Sequence, residues 1–228
     1  MKPYRERVSG WPYRARIVHR KTDILLGSEN PIDATPGARI IVSLWEEMEG
    51  YLERHPVFGR SLDPLEPLPG APAVAINMAQ AGKAAGVGPM AAVAGAFAER
   101  VVMAYHGDVA AENGGDVFMR TSRERVFEVF SGNPKLPGPR ITVPPGSWGI
   151  ATSSGKLGLS LSLGRAWAAT VVAESGALAD AWATRLGNEA LLDNDPEGAL
   201  LAIKGAEGVF GALVITEESL AVWGLKLK

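Results

Sequence analysis

Apolar positions along this chain change period several times, and each change marks an element. Between residues 13 and 26 they alternate: Ile17 and Val18 give β-branched character to Tyr13–His19, and Thr22, Ile24 and Leu26 hold every second position after it. Alternation is the pattern of half-buried strands, so two are expected here, turning at Arg20-Lys21. From Thr35-Pro36 the period lengthens. Ile40/Ile41, Leu44/Trp45, Met48 and Tyr51/Leu52 form one stripe and Glu46, Glu47, Glu49 and Glu53 the other, which predicts an amphipathic helix. Pro64, Pro67, Pro69 and Pro72 make Leu62 to Pro72 an irregular crossing. Ala73 to Ala104 then reads as two alanine-rich helices broken at Gly86-Val87-Gly88-Pro89.

The second half returns to alternation. Val109 to Glu112 and Val117 to Arg120 flank Asn113-Gly114-Gly115-Asp116, and Val126 to Phe130 follows. Ser131 to Gly146, rich in proline and glycine, is expected to be loop. Trp148 to Thr152, Lys156 to Leu163 and Trp167 to Ala173 are predicted strands. A helix over Ser175 to Gly187, a short helix over Pro196 to Lys204 and a hairpin of Phe210 to Ile215 with Leu220 to Leu225 complete the chain. Hairpin-like runs mixed with helix pairs predict an α+β protein with mainly antiparallel sheet, forming a single domain over residues 1–228. No repeat period is visible.

Composition narrows the chemistry. None of the 228 residues is cysteine, so disulfides, thiolate catalysis and cysteine-ligated metals are excluded. A net charge of −2 gives no nucleic-acid footprint. The charged start Met1-Lys2-Pro3-Tyr4-Arg5-Glu6-Arg7 leads into no apolar core, and Ala84 to Ala98 is too short to span a bilayer. The expectation is a cytoplasmic protein with neither membrane nor nucleic acid as partner, its oligomeric state left open.

Three short segments carry candidate chemistry. In Ala179-Asp180-Ala181-Trp182-Ala183-Thr184 a carboxylate and a hydroxyl stand at i and i+4 among small residues, and so share one helix face. That face either lies in solvent or admits a cation. Leu178, Trp182 and Leu186 occupy the opposite side. In Glu112-Asn113-Gly114-Gly115-Asp116, Asn-Gly between two strand-like runs is a hairpin signal, while paired glycines also let backbone N–H groups face an anion. Thr152-Ser153-Ser154-Gly155-Lys156 crowds hydroxyls and an ammonium into one turn, suited to phosphate or simply to solvent. It is no P-loop, since Leu157 stands where a magnesium-binding hydroxyl belongs. Gly86 to Ala91 matches G-x-G-x-x-A but continues a helix, and is read as a helix–helix joint. His19, His55 and His106 lack metal-ligand spacing, and no G-x-S-x-G occurs. The residues alone name no catalytic group.

The order of these segments resembles the ApbE-like superfamily, and most closely its UPF0280 (DUF375) branch. The resemblance is carried by Ala85-Gly86-Val87-Gly88-Pro89-Met90-Ala91-Ala92-Val93-Ala94-Gly95, by the helix Ala91 to Glu99, by Glu112 to Asp116, by Ile150 to Gly155, by Ala177 to Thr184, and by the Lys204-Gly205 to Trp223-Gly224 end. It implies a T-fold-like architecture of duplicated antiparallel sheets with packed helix pairs. It further implies a flavin nucleotide, FAD or FMN, bound with Mg2+, and flavin transfer to a threonine of an acceptor protein or cleavage of the FAD pyrophosphate. By the same resemblance Asn113, Gly114, Gly115 and Asp116, with Thr152, Ser153, Ser154 and Gly155, border the nucleotide, and Asp180 and Thr184 hold the metal. Two features depart from the transferase pattern. Ala94 stands where G-I-A-K-G has lysine, and Gly158 to Arg165 replaces a His-x-x-Asp-Pro-x-Thr-Gly segment. These departures keep open a non-enzymatic ligand- or partner-binding protein, and the resemblance to this branch separately implies an accessory role in sulfur assimilation as a further alternative.

Overall fold

The computed structural model describes residues 10–156, 165–190 and 195–228. The described strands, in chain order, are β1 (Tyr13–His19), β2 (Thr22–Ser28), β3 (Val109–Asn113), β4 (Asp116–Thr121), β5 (Arg125–Glu128), β6 (Arg140–Val143), β7 (Gly146–Ser153), β8 (Ala168–Ala173), β9 (Val209–Ile215), β10 (Leu220–Trp223) and β11 (Lys226–Leu227). The described α-helices are α1 (Thr35–Arg54), α2 (Ala73–Ala85), α3 (Val93–Val102), α4 (Gly176–Glu189) and α5 (Pro196–Leu201).

Eight strands form one antiparallel sheet in the order β1-β2-β3-β4-β7-β8-β9-β10. That order is one unit used twice: two strands, a helical excursion, two strands. The halves join where β4 pairs β7, with Val117 opposite Ile150 and Thr121 opposite Gly146. Strand alternation sorts the side chains into two cores. Ala111, Phe118, Ala151, Ala169 and Val171 face the helices, while Ala110, Val117, Ile150, Ala168 and Val172 face the other way. A three-stranded sheet, β11-β6-β5, covers that second face through Phe127, Ile141 and Val143.

The α+β class and the duplicated antiparallel layout are as expected from the sequence, and three details differ. Ser131 to Gly146 is not all loop, because Arg140–Val143 is a strand pairing β5 and β11. Its β-branched Ile141, Thr142 and Val143 lie between Pro139 and Pro144, which bound the strand without entering its ladder. The closing hairpin ends at Trp223, and Gly224 (φ 71°) turns the chain into the small sheet. The expected strand Lys156 to Leu163 lies, from residue 157 onward, outside the described residues. At the helix joint, Gly86 closes α2 in a left-handed conformation (φ 70°). A Cβ at Gly88 would overlap the Ser61 carbonyl. These glycines therefore serve packing, as the joint reading requires.

Candidate functional site

The β4–β7 junction places three of the singled-out segments together. Strand β3 ends at Asn113 and β4 begins at Asp116, so Gly114 and Gly115 form the tip of a two-residue turn. Both have positive φ (69° and 114°), the requirement of a tight hairpin. A Cβ on either would meet no protein atom, so the need for glycine is dihedral and not steric. Beneath the tip, Asn113 Nδ2 donates to the Ala94 carbonyl at 3.1 Å, and the Thr152 N–H donates to Asp116 Oδ1 at 3.2 Å. The hairpin is thereby tied to the start of α3 on one side and to the end of β7 on the other.

Helix α4 crosses the same junction. Ser175 caps it, its hydroxyl accepting from Leu178 N–H at 3.1 Å. Ala177, Ala179, Ala181 and Ala183 are all buried, as are Trp182 and Leu186. Alanines on several faces let the helix lie against sheet and neighbouring helices together. Asp180 is therefore not on a solvated face. Its Oδ2 accepts from Gly95 N–H at 2.9 Å, the first turn of α3. Burial and the nearby Asp116 carboxylate hold its carboxyl well above the usual carboxylate range, against the pull of the Gly95 and Ala94 N–H groups. The residue is half-buried, with the Gly95 backbone packed against its Cβ. Thr184 lies one turn further along the same face, partly exposed.

The family model for AbpE bacteria matches residues 5–198. A UPF0280 protein of Methanopyrus kandleri is 38% identical over 204 residues, covering 89% of this chain and 84% of the relative. One from Methanosarcina acetivorans is 32% identical and covers 98% of this chain and 90% of the relative. The chain belongs to the ApbE-like UPF0280 family. Among solved structures, the apo flavinyl transferase ApbE of Pseudomonas stutzeri overlays with a TM-score of 0.57 at 12% identity, over 92% of this chain and 93% of that one. The ApbE protein of Thermotoga maritima gives 0.55 at 13% identity, over 92% and 96%. That likeness is one of fold.

Within this UPF0280 chain, Asp116, Asp180 and the Gly114-Gly115 tip converge, whereas the hydroxyls divide. Thr152 shares the face of Ile150, away from the helices, and its Oγ1 is 2.9 Å from Thr170 Oγ1. Ser153, one residue on, faces the helices and is buried. Ser154 and Gly155 form the rim beyond it. Backbone amides that could have cradled a phosphate are bonded within the protein. Gly115 N–H donates to Glu112 Oε1 at 2.7 Å, Gly155 N–H to the Ala166 carbonyl at 3.0 Å, and Gly176 N–H to Glu99 Oε2 at 2.7 Å. The glycine-rich turn is a hairpin whose second amide is already occupied.

Two acids went unnoticed in the sequence. Glu112 is fully buried and braces the turn from the face opposite the helices. Glu99 binds the first amides of α4, Gly176 and Ala177, which pull its carboxyl down while burial, the larger effect, raises it. A signal existed for Glu99: Gly95-Ala96-Phe97-Ala98-Glu99 and Gly176-Ala177-Leu178-Ala179-Asp180 share the pattern Gly-Ala-apolar-Ala-acid. A surface hollow of about 420 Å³ on the outer face of α1, lined by Thr35, Ala38, Arg39, Val42, Ser43 and Glu46, shares no residue with this site. No group of three or more His, Asp or Glu forms a ready-made metal cage among the described residues.

Proposed function

We propose that this chain binds a flavin nucleotide, FAD or FMN, together with Mg2+ between Gly114-Gly115 and Asp180, and that it acts as a transferase or pyrophosphatase on that nucleotide. The observation that carries the reading is the buried Asp180 carboxylate with the Asp116 carboxylate close enough to raise it further. Two acids brought together with little water disfavour each other's charge, and a divalent cation relieves this. Mg2+ takes hard oxygen donors and commonly keeps one or two protein carboxylates, filling its octahedron with phosphate and water. Asp180 and Thr184 supply such donors on one helix face.

When bound, the cation would neutralise charge on a pyrophosphate. The chain's own residues do the rest. Asn113 and Thr152 N–H fix the hairpin and Asp116; Gly95 N–H fixes the orientation of Asp180; Ser153, Ser154 and Gly155 border the phosphates. With the Gly95, Gly115, Gly155 and Gly176 amides committed and two acids close by, nucleotide phosphates have little to hold them without the cation. Binding is therefore cation-dependent. In a transfer reaction the hydroxyl of a threonine on a separate acceptor protein would attack the flavin-side phosphorus of FAD, forming a phosphoester to FMN. The pyrophosphate bond would break and release AMP, with the hydroxyl proton passing to water. The Pseudomonas relative in fold is named a flavinyl transferase.

The test is calorimetric titration of FAD into the chain with Mg2+ and with EDTA. Binding with Mg2+, its loss in EDTA, and its loss in Asp180→Ala are expected. Equal binding in EDTA, or no heat with Mg2+, would sink the reading. One observation favours binding without transfer: the position where transferases carry lysine is Ala94, whose N–H bonds Asp180 and whose carbonyl bonds Asn113. FMN appearing on a threonine-containing acceptor would exclude that second reading.

A further inference from the structure

Asp180 and Glu99 are two arms of one clasp. Each stands four residues beyond a glycine, and each accepts a hydrogen bond from the other segment's glycine: Glu99 Oε2 from Gly176 N–H at 2.7 Å, Asp180 Oδ2 from Gly95 N–H at 2.9 Å. Four residues is just over one helical turn, so glycine and acid share a face. The two faces meet antiparallel about a local two-fold. A Cβ on Gly95 would overlap the Gly176 carbonyl and lie 3.0 Å from Asp180 Cβ; one on Gly176 would overlap the Gly95 carbonyl and lie 3.3 Å from Glu99 Cβ. Backbone therefore touches backbone at the centre of the clasp, and each acid reaches past the other's glycine to the amide behind it.

The arms differ in what else they meet. Each acid receives amides from the first turn of the other's helix, where the helix dipole favours a carboxylate. Glu99 takes those of Gly176 and Ala177, reaching them with one more methylene, and Asp180 those of Gly95 and Ala94. Asp180 is shorter, points back to the start of α3, and has Asp116 beside it. Both arms hold helix to helix, and only Asp180 has a second carboxylate, Asp116, raising it.

We propose that Glu99 is the positioning residue of the cation site: by holding the Gly176–Ala177 end of α4 on α3, it sets where Asp180 meets the cation. This rests on the cation reading above. The mechanical link is short and stiff. Gly176 and Asp180 are one turn apart on a helix buried on several sides, and the contact of Gly95 with Gly176 leaves no slack between the arms. If Glu99 releases Gly176, the clasp opens at both ends and Asp180 loses its register with Ala94 and Gly95. Groups that orient a metal ligand without touching the metal are typically worth about 10- to 100-fold in affinity.

The test pairs two measurements on the full chain and on Glu99→Ala and Glu99→Gln. Mn2+ binding is followed by electron paramagnetic resonance, and amide hydrogen exchange at Gly95 and Gly176 is followed without cation. Glu99→Ala is expected to weaken Mn2+ binding by about tenfold or more and to speed exchange at Gly95 as well as Gly176, although Glu99 bonds only the latter's helix. Glu99→Gln keeps a carbonyl acceptor for Gly176 and recovers most of both effects. Equal losses in Gln and Ala would assign the effect to charge, and overturn positioning. Unchanged Mn2+ affinity in a folded Glu99→Ala, or unchanged exchange at Gly95, overturns it too. Should the wild-type chain bind no Mn2+ while Gly95 exchange still responds to Glu99, the cation reading and the role assigned to Glu99 in it both fall, and the clasp alone stands. The two failures are thus told apart.

Discussion

Alanine at Gly176 and at Gly50 is the same chemical change in two helices, and the structure assigns it opposite signs. At Gly50, in α1, a built Cβ has nothing within 4 Å and the residue is exposed. Only the helix propensity acts there, and alanine gains up to about 1 kcal/mol over glycine. At Gly176 the Cβ overlaps the Gly95 carbonyl oxygen and presses on Glu99 Cβ at 3.3 Å. The first obstacle is backbone, so α3 and α4 must separate. Overpacking costs about 1–3 kcal/mol, and the separation stretches two hydrogen bonds to carboxylates, each worth about 1.5–3 kcal/mol. Taking ~2 for overpacking, ~2 for half of each bond lost and ~1 returned by propensity leaves a net loss of about 3 kcal/mol. In a chain of this length 1 kcal/mol moves the melting temperature by roughly 2–4 °C. Thermal unfolding followed by circular dichroism should therefore show Gly176→Ala melting about 6–12 °C lower, and Gly50→Ala about 1–4 °C higher. A Gly176→Ala variant that melts at or above the wild type would refute the clasp.

Asp180→Asn should stabilise the cation-free protein while removing its cation affinity. The fold raises the Asp180 carboxyl well above its ordinary 3.8, so the folded chain holds the proton longer than the unfolded one. That contribution is present below 3.8 and is lost as pH rises through the folded value. Denaturant midpoints of wild type and Asp180→Asn should diverge as pH rises above 3.8, in favour of the variant; parallel profiles would count against it. At the hairpin tip, Gly115 (φ 114°) sits where only glycine is comfortable, so Gly115→Ala should cost about 1–3 kcal/mol by urea midpoint. Gly114 (φ 69°) lies in the region asparagine tolerates, and Gly114→Asn should cost under about 1 kcal/mol. Equal costs would mean the turn is held some other way.

What could be read in the sequence follows from how local each signal is. The β1–β2 hairpin, the α1 stripe and the α2–α3 joint are encoded by spacing within one segment, and all stand near their expected bounds. Strand β6 escaped notice because Pro139 and Pro144 dominate its composition, although both lie outside its paired residues. In the candidate site the division is sharper. Asp180 drew attention through its i, i+4 partner Thr184 and through the resemblance, whereas Glu99 acts on an amide 77 residues away, and no window along the chain contains both. The Gly-Ala-apolar-Ala-acid pattern appears twice, but its meaning is visible only once the two copies are seen in contact. The same contact changes how the glycines should be understood. Glycine-rich segments near a phosphate site are usually taken as donors of free backbone N–H groups. Here Gly95, Gly115, Gly155 and Gly176 each donate to the protein's own oxygen atoms, three of them to carboxylates. Those acids fill the positions an anion would take. A nucleotide bound beside Asp180, as proposed, would meet amides already committed to the protein's own oxygen atoms, and its attraction would fall to the cation proposed at Asp180.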